Sequence, residues 1–314
     1  MQSIGTGWLW IVFFILVFTL LTVDLVFFGG KKSHKVTGRE ALRWTFIWVA
    51  SAFIFNIFLW IYLKHTYGSV IAAQKSLEFF TGYIIEESLS FDNMFVILMI
   101  FQFFMVPIAY QRRVLLYGVL GAMAMRLIMI LVGVWLIHQF HWVLYLFGLF
   151  ILFTGVKMLL FAENKKSLAD NPLVIWLQRH LRLTPEFHEE QFFVKINKLY
   201  YVTPLFLVLI LVEIGDLIFA LDSIPAIFAI TTDPFIVFTS NIFAILGLRA
   251  IYFLLASMAD KFYLLKYGIA LVLIFIGFKM ILEPWIKISI ILSLSIVMSI
   301  LVTTIILSLL RRKK

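Results

Sequence analysis

From Trp8 to Leu310, apolar residues run in blocks of about twenty or more, separated mostly by short polar connections. A bilayer core about 30 Å thick needs roughly 20 apolar residues per helix, and only a helix or a closed barrel satisfies its own backbone in lipid. The blocks predict nine membrane-spanning helices, at about 8–28, 43–63, 79–106, 114–137, 142–161, 201–230, 235–257, 265–283 and 288–310. The fold class is therefore all-α, a polytopic transmembrane helix bundle. The one long polar connection runs from Ala162 to Leu199. Within it Leu173, Val174, Leu177 and Leu181 fall at helical spacing opposite Arg179 and Arg182. That pattern suits a short helix on the membrane surface, and equally a solvated linker.

Composition agrees with the pattern. The chain is 63% hydrophobic and 14% charged, whereas soluble domains carry about 25% charged residues, so no room remains for a soluble catalytic domain. The first apolar block lacks a basic leader and a small-residue cleavage site, and reads as a retained span. The net charge of +9 follows membrane topology rather than nucleic-acid binding. Of 26 basic residues, nineteen fall in connections on one side and only Lys64, Lys75 and Lys287 on the other, with Arg126, Lys157, Arg249 and Lys279 inside spans. This asymmetry predicts a cytoplasmic C-terminus and, with an odd number of spans, an N-terminus outside. There is no cysteine, which excludes disulfides, thiolate metal ligands and dithiol redox chemistry in the protein itself.

An internal repeat gives the spans an order. Phe79–Leu160 can be laid against Val202–Leu282: Glu86 and Asp92 match Asp216 and Asp222, Asn93 matches Ser223, and Arg126 in GAMAMRL matches Arg249 in AILGLRA. Further on, Thr154-Gly155-Val156-Lys157-Met158 matches Ile276-Gly277-Phe278-Lys279-Met280. Each repeat holds three spans, so the second is inverted relative to the first, a recurring plan of secondary transporters with a binding site near mid-membrane. The expected organisation is peripheral spans one and two in 1–78, repeat one in 79–161, a cytoplasmic loop in 162–200, repeat two in 201–283, and span nine with a basic tail in 284–314.

Seven acids fall within spans: Asp24, Glu86, Glu87, Asp92, Glu213, Asp216 and Asp222. Each costs roughly 2.5–3.5 kcal/mol at a helix centre, yet six sit on the first helix of each repeat. On a regular helix Glu86, Ser90 and Asn93 share a face, while Asp92 lies about 120° around from Glu86, and Asp222 likewise from Asp216. Either two helix interfaces are served or the helices are interrupted. Pro225, which disturbs the carbonyl of Leu221, favours an interruption near Asp222. The blander reading is that the acids only balance the basic residues. Lys157 and Lys279 lie near span ends and read as snorkelling anchors, and Asp24 reads as a balancing charge. Arg126 and Arg249 are expected to pair with acids, but two arginines cannot neutralise six carboxylates, so a shared cation site is the stronger reading. The six histidines, all in connections, read as polar surface, and Met94 as packing that stands beside Asn93.

Carboxylate, amide and hydroxyl ligands without thiolate suit Mn²⁺, Ca²⁺ or Mg²⁺. The segments Glu86-Glu87-Ser88-Leu89-Ser90-Phe91-Asp92-Asn93 and Asp216-Leu217-Ile218-Phe219-Ala220-Leu221-Asp222-Ser223-Ile224-Pro225 resemble the two signature segments of the TerC family, as do TTDPFIVFTSN and FFVKIN. Glu213-Ile214-Gly215-Asp216 is also similar to the E-x-G-D motif of small manganese and calcium exchangers. The resemblance implies bacterial cytoplasmic-membrane proteins linked to manganese efflux, in some members responding to alkaline conditions. It also brings older labels of tellurium resistance and membrane-bound redox modulation. The metal-site residues it implies are Glu86, Asp92, Asn93, Asp216, Asp222 and Ser223, with Glu213 added by its placement.

The expected function is a secondary transporter exporting Mn²⁺ by alternating access, possessing no permanently bound cofactor and no enzymatic activity, with the lipid bilayer as its surroundings. No GxxxxGK[ST] loop is present for ATP hydrolysis, and buried carboxylates can trade a proton for a metal ion. Two rivals are an intramembrane aspartyl protease built on Asp92 and Asp222, and a non-transporting membrane scaffold. The first would use only two of the duplicated carboxylates. The second would make the 162–200 loop its partner surface.

Overall fold

A computed structural model describes residues 3–23, 38–140, 142–160, 176, 182–196, 198–256, 264–282, 285–286 and 288–310. Asp24, His34, His141, His180, Lys287 and most of 173–181 lie outside these residues, as do the side chains of Asp92 and His138. The helices are α1 Gly7–Val23, α2 Gly38–Tyr67, α3 Ser69–Phe103, α4 Ile108–Gln139, α5 Val143–Leu160, α6 Pro204–Phe228, α7 Pro234–Ala256, α8 Leu265–Leu282 and α9 Ile290–Leu310. A hairpin of β1 Phe193–Ile196 and β2 Leu199–Val202 stands between α5 and α6. Among the described residues, α2, α4, α5, α6, α7 and α9 are long and apolar enough to cross a membrane. The molecule is thus an all-α polytopic bundle with one small hairpin.

Several features differ from the sequence reading, among them the starts of α2 at Gly38 rather than 43 and of α4 at Ile108 rather than 114. The helix expected from 79 starts at Ser69, because Ser69–Leu77 continues helically beyond the apolar stretch. Its 35 residues make a rod of about 52 Å, longer than the hydrocarbon layer. Gly68 alone separates α2 from α3 at φ +90°, a conformation only glycine adopts freely. The helix expected from 201 begins at Pro204, since Tyr201 and Val202 pair with Val194 and Phe193 in the hairpin. Proline at the first helical position has no N–H to leave unpaired there. Finally, α6 is unbroken through Pro225 to Phe228. The proline sits in the last turn, where little helix remains to be broken, and the expected interruption near Asp222 does not occur.

α7 forms the centre, with its apolar stretch buried along its whole length. Around it α3 packs on α7 and α6, α4 on α6 and α7, α2 on α3 and α7, and α9 on α8. Phe13, Phe55, Phe79 and Phe243 bind α1, α2, α3 and α7 into one aromatic cluster, with Phe55 and Phe243 rings 4.8 Å apart. The α5–α8 contact is closest of all. A Cβ on Gly277 would stand 2.7 Å from the backbone nitrogen of Leu152, and one on Gly155 2.9 Å from the carbonyl oxygen of Ala270. Only glycine lets two backbones approach in this way, the small-residue packing of helices in lipid.

At one end of the bundle a polar cluster ties the N-terminal segment, α3 and the α6–α7 connection together. Lys75 Nζ lies 2.7 Å from Glu78 Oε2 and 3.6 Å from Asp233 Oδ2. Glu78 accepts from Gln74 and Thr231. Asp233 accepts from the Ser3 hydroxyl and from the backbone N–H groups of Ile4 and Phe235. At the opposite end the hairpin segment docks on α4 and α6 through Tyr117–Phe192 and Phe193–Phe206 ring contacts and an Arg113–Glu190 ion pair of 3.6 Å.

Candidate functional site

The site is assembled from four helices in the interior of the bundle. α3 contributes Glu86, Ser90 and Asn93, all buried on one face, as their spacing of about one turn requires. α6 contributes Asp216 and Ser223, α7 contributes Asn241, and α4 contributes Arg126, which at 1% exposure is among the most completely buried large side chains. Charge in so apolar a setting must be paired to be tolerated, and Arg126 is the common partner. Its Nη1 donates to Glu86 Oε1, to Asn241 Oδ1 and, at 3.5 Å, to Ser223 Oγ. Its Nη2 lies 3.2 Å from Asp216 Oδ1, and Asn93 Nδ2 donates to the same oxygen at 2.9 Å.

The oxygens that remain are as informative as those engaged. Among the described residues no donor reaches Glu86 Oε2 or Asn93 Oδ1, though both are buried. Such orphaned acceptors are rare in native interiors, and acceptors without donors are what a cation recruits. A cavity of about 20 Å³ reaches Asn93, lined also by Met94, Asp216 and Arg249 and extending along α4 past Ala122 and Gly118 to Leu115. That is room for one water molecule or ion.

The predicted residues divide into two groups. Glu86, Asn93, Asp216 and Ser223 meet around Arg126, and Arg249, buried at 3%, lines the adjoining cavity. Glu213 stands one turn before Asp216 and rests against Gly121, where any Cβ would strike its carboxylate. Asp222 does not join the cluster. It is half-buried and faces Thr154 and Lys157 of α5, because six residues of unbroken helix turn it about 120° away from Asp216. Of the two arrangements the spacing allowed, the one serving two helix interfaces is realised in α6. Asp92 lies on α3, with its side chain outside the description. Among the described residues no three His, Asp or Glu side chains gather as a ready-made metal cluster. Lys279 is buried at 8% rather than snorkelling, since α8 packs its end against neighbouring helices instead of lipid. Lys157 is exposed, compatible with anchoring, yet also close to Asp222.

Asn241 was missed by the sequence reading. It closes the TTDPFIVFTSN segment, directly after Thr239 and Ser240, but neutral polar residues are a weak signal against six carboxylates. Lys75, Glu78 and Asp233 were likewise passed over, lying at the edges of the apolar blocks.

Known proteins resemble the chain over nearly all of its length. Residues 71–314 match the integral membrane protein TerC family. A protein of Escherichia coli (strain K12), carrying the provisional name membrane-bound redox modulator Alx, is 54% identical over 308 residues, 98% of this chain and 96% of its own. The Shigella flexneri protein of the same name is equally similar. A Myxococcus xanthus protein, uncharacterized membrane protein STKORF319, is 43% identical over 311 residues, 99% of this chain and 95% of its own. No solved structure matches. The chain belongs to the TerC family of integral membrane proteins.

Proposed function

We propose that this protein is a secondary transporter that exports divalent cations, Mn²⁺ foremost, from the bacterial cytoplasm by alternating access. In this reading nine spans cross the inner membrane with the N-terminus outside and the C-terminus within. Spans three to five and six to eight form two inverted repeats. The crosswise packing of α3 on α7 and of α4 on α6, with α5 on α8, supports such a pseudo-symmetric pair. So does the close backbone contact made at both Gly155 and Gly277, matched positions of the repeat.

One observation carries the reading. Glu86 and Asp216, matched positions on the first helix of each repeat, are both buried around a single basic group, with acceptor oxygens left over on Glu86 and on Asn93, the latter lining a small cavity. Carboxylate and amide oxygens suit Mn²⁺ as well as Mg²⁺ or Ca²⁺, and the family likeness favours Mn²⁺. Asp92, Asp222 and Glu213 would serve the path on either side of this centre and would carry the protons whose exchange supplies the energy. The relatives' name points instead to redox modulation, for which a chain without cysteine offers no dithiol couple of its own.

The test is Mn²⁺ flux into proteoliposomes, with and without a pH gradient. The parent protein moves Mn²⁺, and Glu86→Gln, Asp216→Asn and Asp92→Asn each lower the rate at least about 100-fold, beyond the 10–100-fold typical of losing only a supporting partner. A folded parent that moves no divalent ion removes the transporter reading. Variants as fast as the parent remove the site.

A further inference from the structure

We infer that Arg126 is a tethered substitute for the transported cation. Its guanidinium occupies the carboxylates when no metal is bound, yields them as a metal enters, and returns on release, so that the unloaded protein can complete its cycle. This rests on the transporter reading above.

The geometry argues for exchange rather than simple bridging. Glu86 on α3 and Asp216 on α6 are joined through one guanidinium on α4 that is 1% exposed. The two carboxylates carry two negative charges, of which the arginine cancels one, whereas a divalent ion in its place would cancel both. Metal and arginine cannot share fully, because Asp216 Oδ1 already takes donors from both Arg126 and Asn93, and Glu86 Oε1 takes Arg126. Glu86 Oε2 and Asn93 Oδ1, without donors among the described residues, offer an incoming ion its first footing while the arginine is still in place. The arginine in turn has somewhere to stay. Its Nη1 also reaches the neutral oxygens of Asn241 and Ser223, so it can release both carboxylates and keep acceptors. An unloaded pair of charged carboxylates would otherwise have to be carried through a low-dielectric interior, which is costly.

The experiment compares Mn²⁺ binding to the purified full-length protein, read by the loss of the free-ion paramagnetic resonance signal, with two flux modes in proteoliposomes. In Arg126→Gln, Mn²⁺ binds at least about tenfold more tightly, because the competing occupant that held the site in about 90% or more of molecules is gone. Net efflux falls at least about tenfold while Mn²⁺/Mn²⁺ exchange persists within about threefold, since only the unloaded return needs the arginine. An arginine that merely holds the helices together predicts the opposite, weaker binding and equal loss of both modes, and that result overturns the inference. Should Arg126→Gln fail to fold, Arg126→Lys decides. A lysine cannot bridge both carboxylates with a planar fork, so binding tightens while net efflux survives, and unchanged or weaker binding overturns the inference. A folded wild type that neither binds nor moves Mn²⁺ removes the transporter reading and this inference together. Transport by the wild type with weaker binding by Arg126→Gln removes this inference alone.

Discussion

Two clusters in this molecule have the same formal makeup, one basic side chain between two carboxylates, and differ in everything else. In the terminal cluster Lys75 stands between Glu78 and Asp233, and every carboxylate oxygen has a donor. In the central cluster Arg126 stands between Glu86 and Asp216, and buried acceptors are left without donors among the described residues. The first is a closed structural tie. The second is an open electrostatic centre with a cavity beside it. Counting charges does not separate the two, whereas accounting for each oxygen does, because an unsatisfied buried acceptor costs about 1–3 kcal/mol and is rare in native interiors.

The sharpest way to break this contrast is transport. Asp233→Asn is expected to keep Mn²⁺ flux within about threefold of the parent, against the roughly 100-fold loss at Asp216, and equal losses at both would erase the distinction. Stability should divide the other way. Lys75→Met leaves two buried carboxylates facing each other and should cost about 3 kcal/mol, the low end for a broken buried pair, because Lys75 keeps 12% of its side chain exposed. Thermal unfolding in detergent, with and without Mn²⁺, checks both the loss and its indifference to metal. A smaller effect is expected from Thr231→Val, which removes the hydrogen bond that Thr231 gives to Glu78 and the one it accepts from the Asp233 backbone N–H and should cost about 2 kcal/mol with flux intact. A change of similar or smaller size is expected from Gly121→Ala. Its methyl group must displace the Glu213 carboxylate, an overpacking cost of about 1–3 kcal/mol unless the side chain swings aside. A change in metal selectivity without loss of folding would place Glu213 on the ion's path.

Much of this was legible in the sequence, for reasons that also explain the failures. Apolar blocks report helices directly, and α5, α7, α8 and α9 lie within about two residues of their expected positions. The pairing of Arg126 with acids followed from the cost of charge in hydrocarbon, and the shared face of Glu86, Ser90 and Asn93 from helical geometry. The hairpin was not legible. FVKI and LYYV are four residues each, too short for an alternation signal, and Lys198 takes the left-handed conformation at φ 68° without being glycine. Nor was the fate of Asp222. Whether a proline breaks a helix depends on how much helix follows it, and the end at Phe228 is set by packing. Lys279 was misread because position along a span says nothing about whether lipid or protein surrounds it.

The meeting of α5 and α8 has a mechanical meaning. Where long side chains interlock, one helix can pass another only by unlocking them like gear teeth. At Gly155 and Gly277 the glycine carries no tooth of its own, and backbone approaches backbone. Such a surface behaves as a plain bearing, on which the two halves could rock with no rotamer to unlock at the pivot. Leucine at Gly155 would turn that bearing into a wedge.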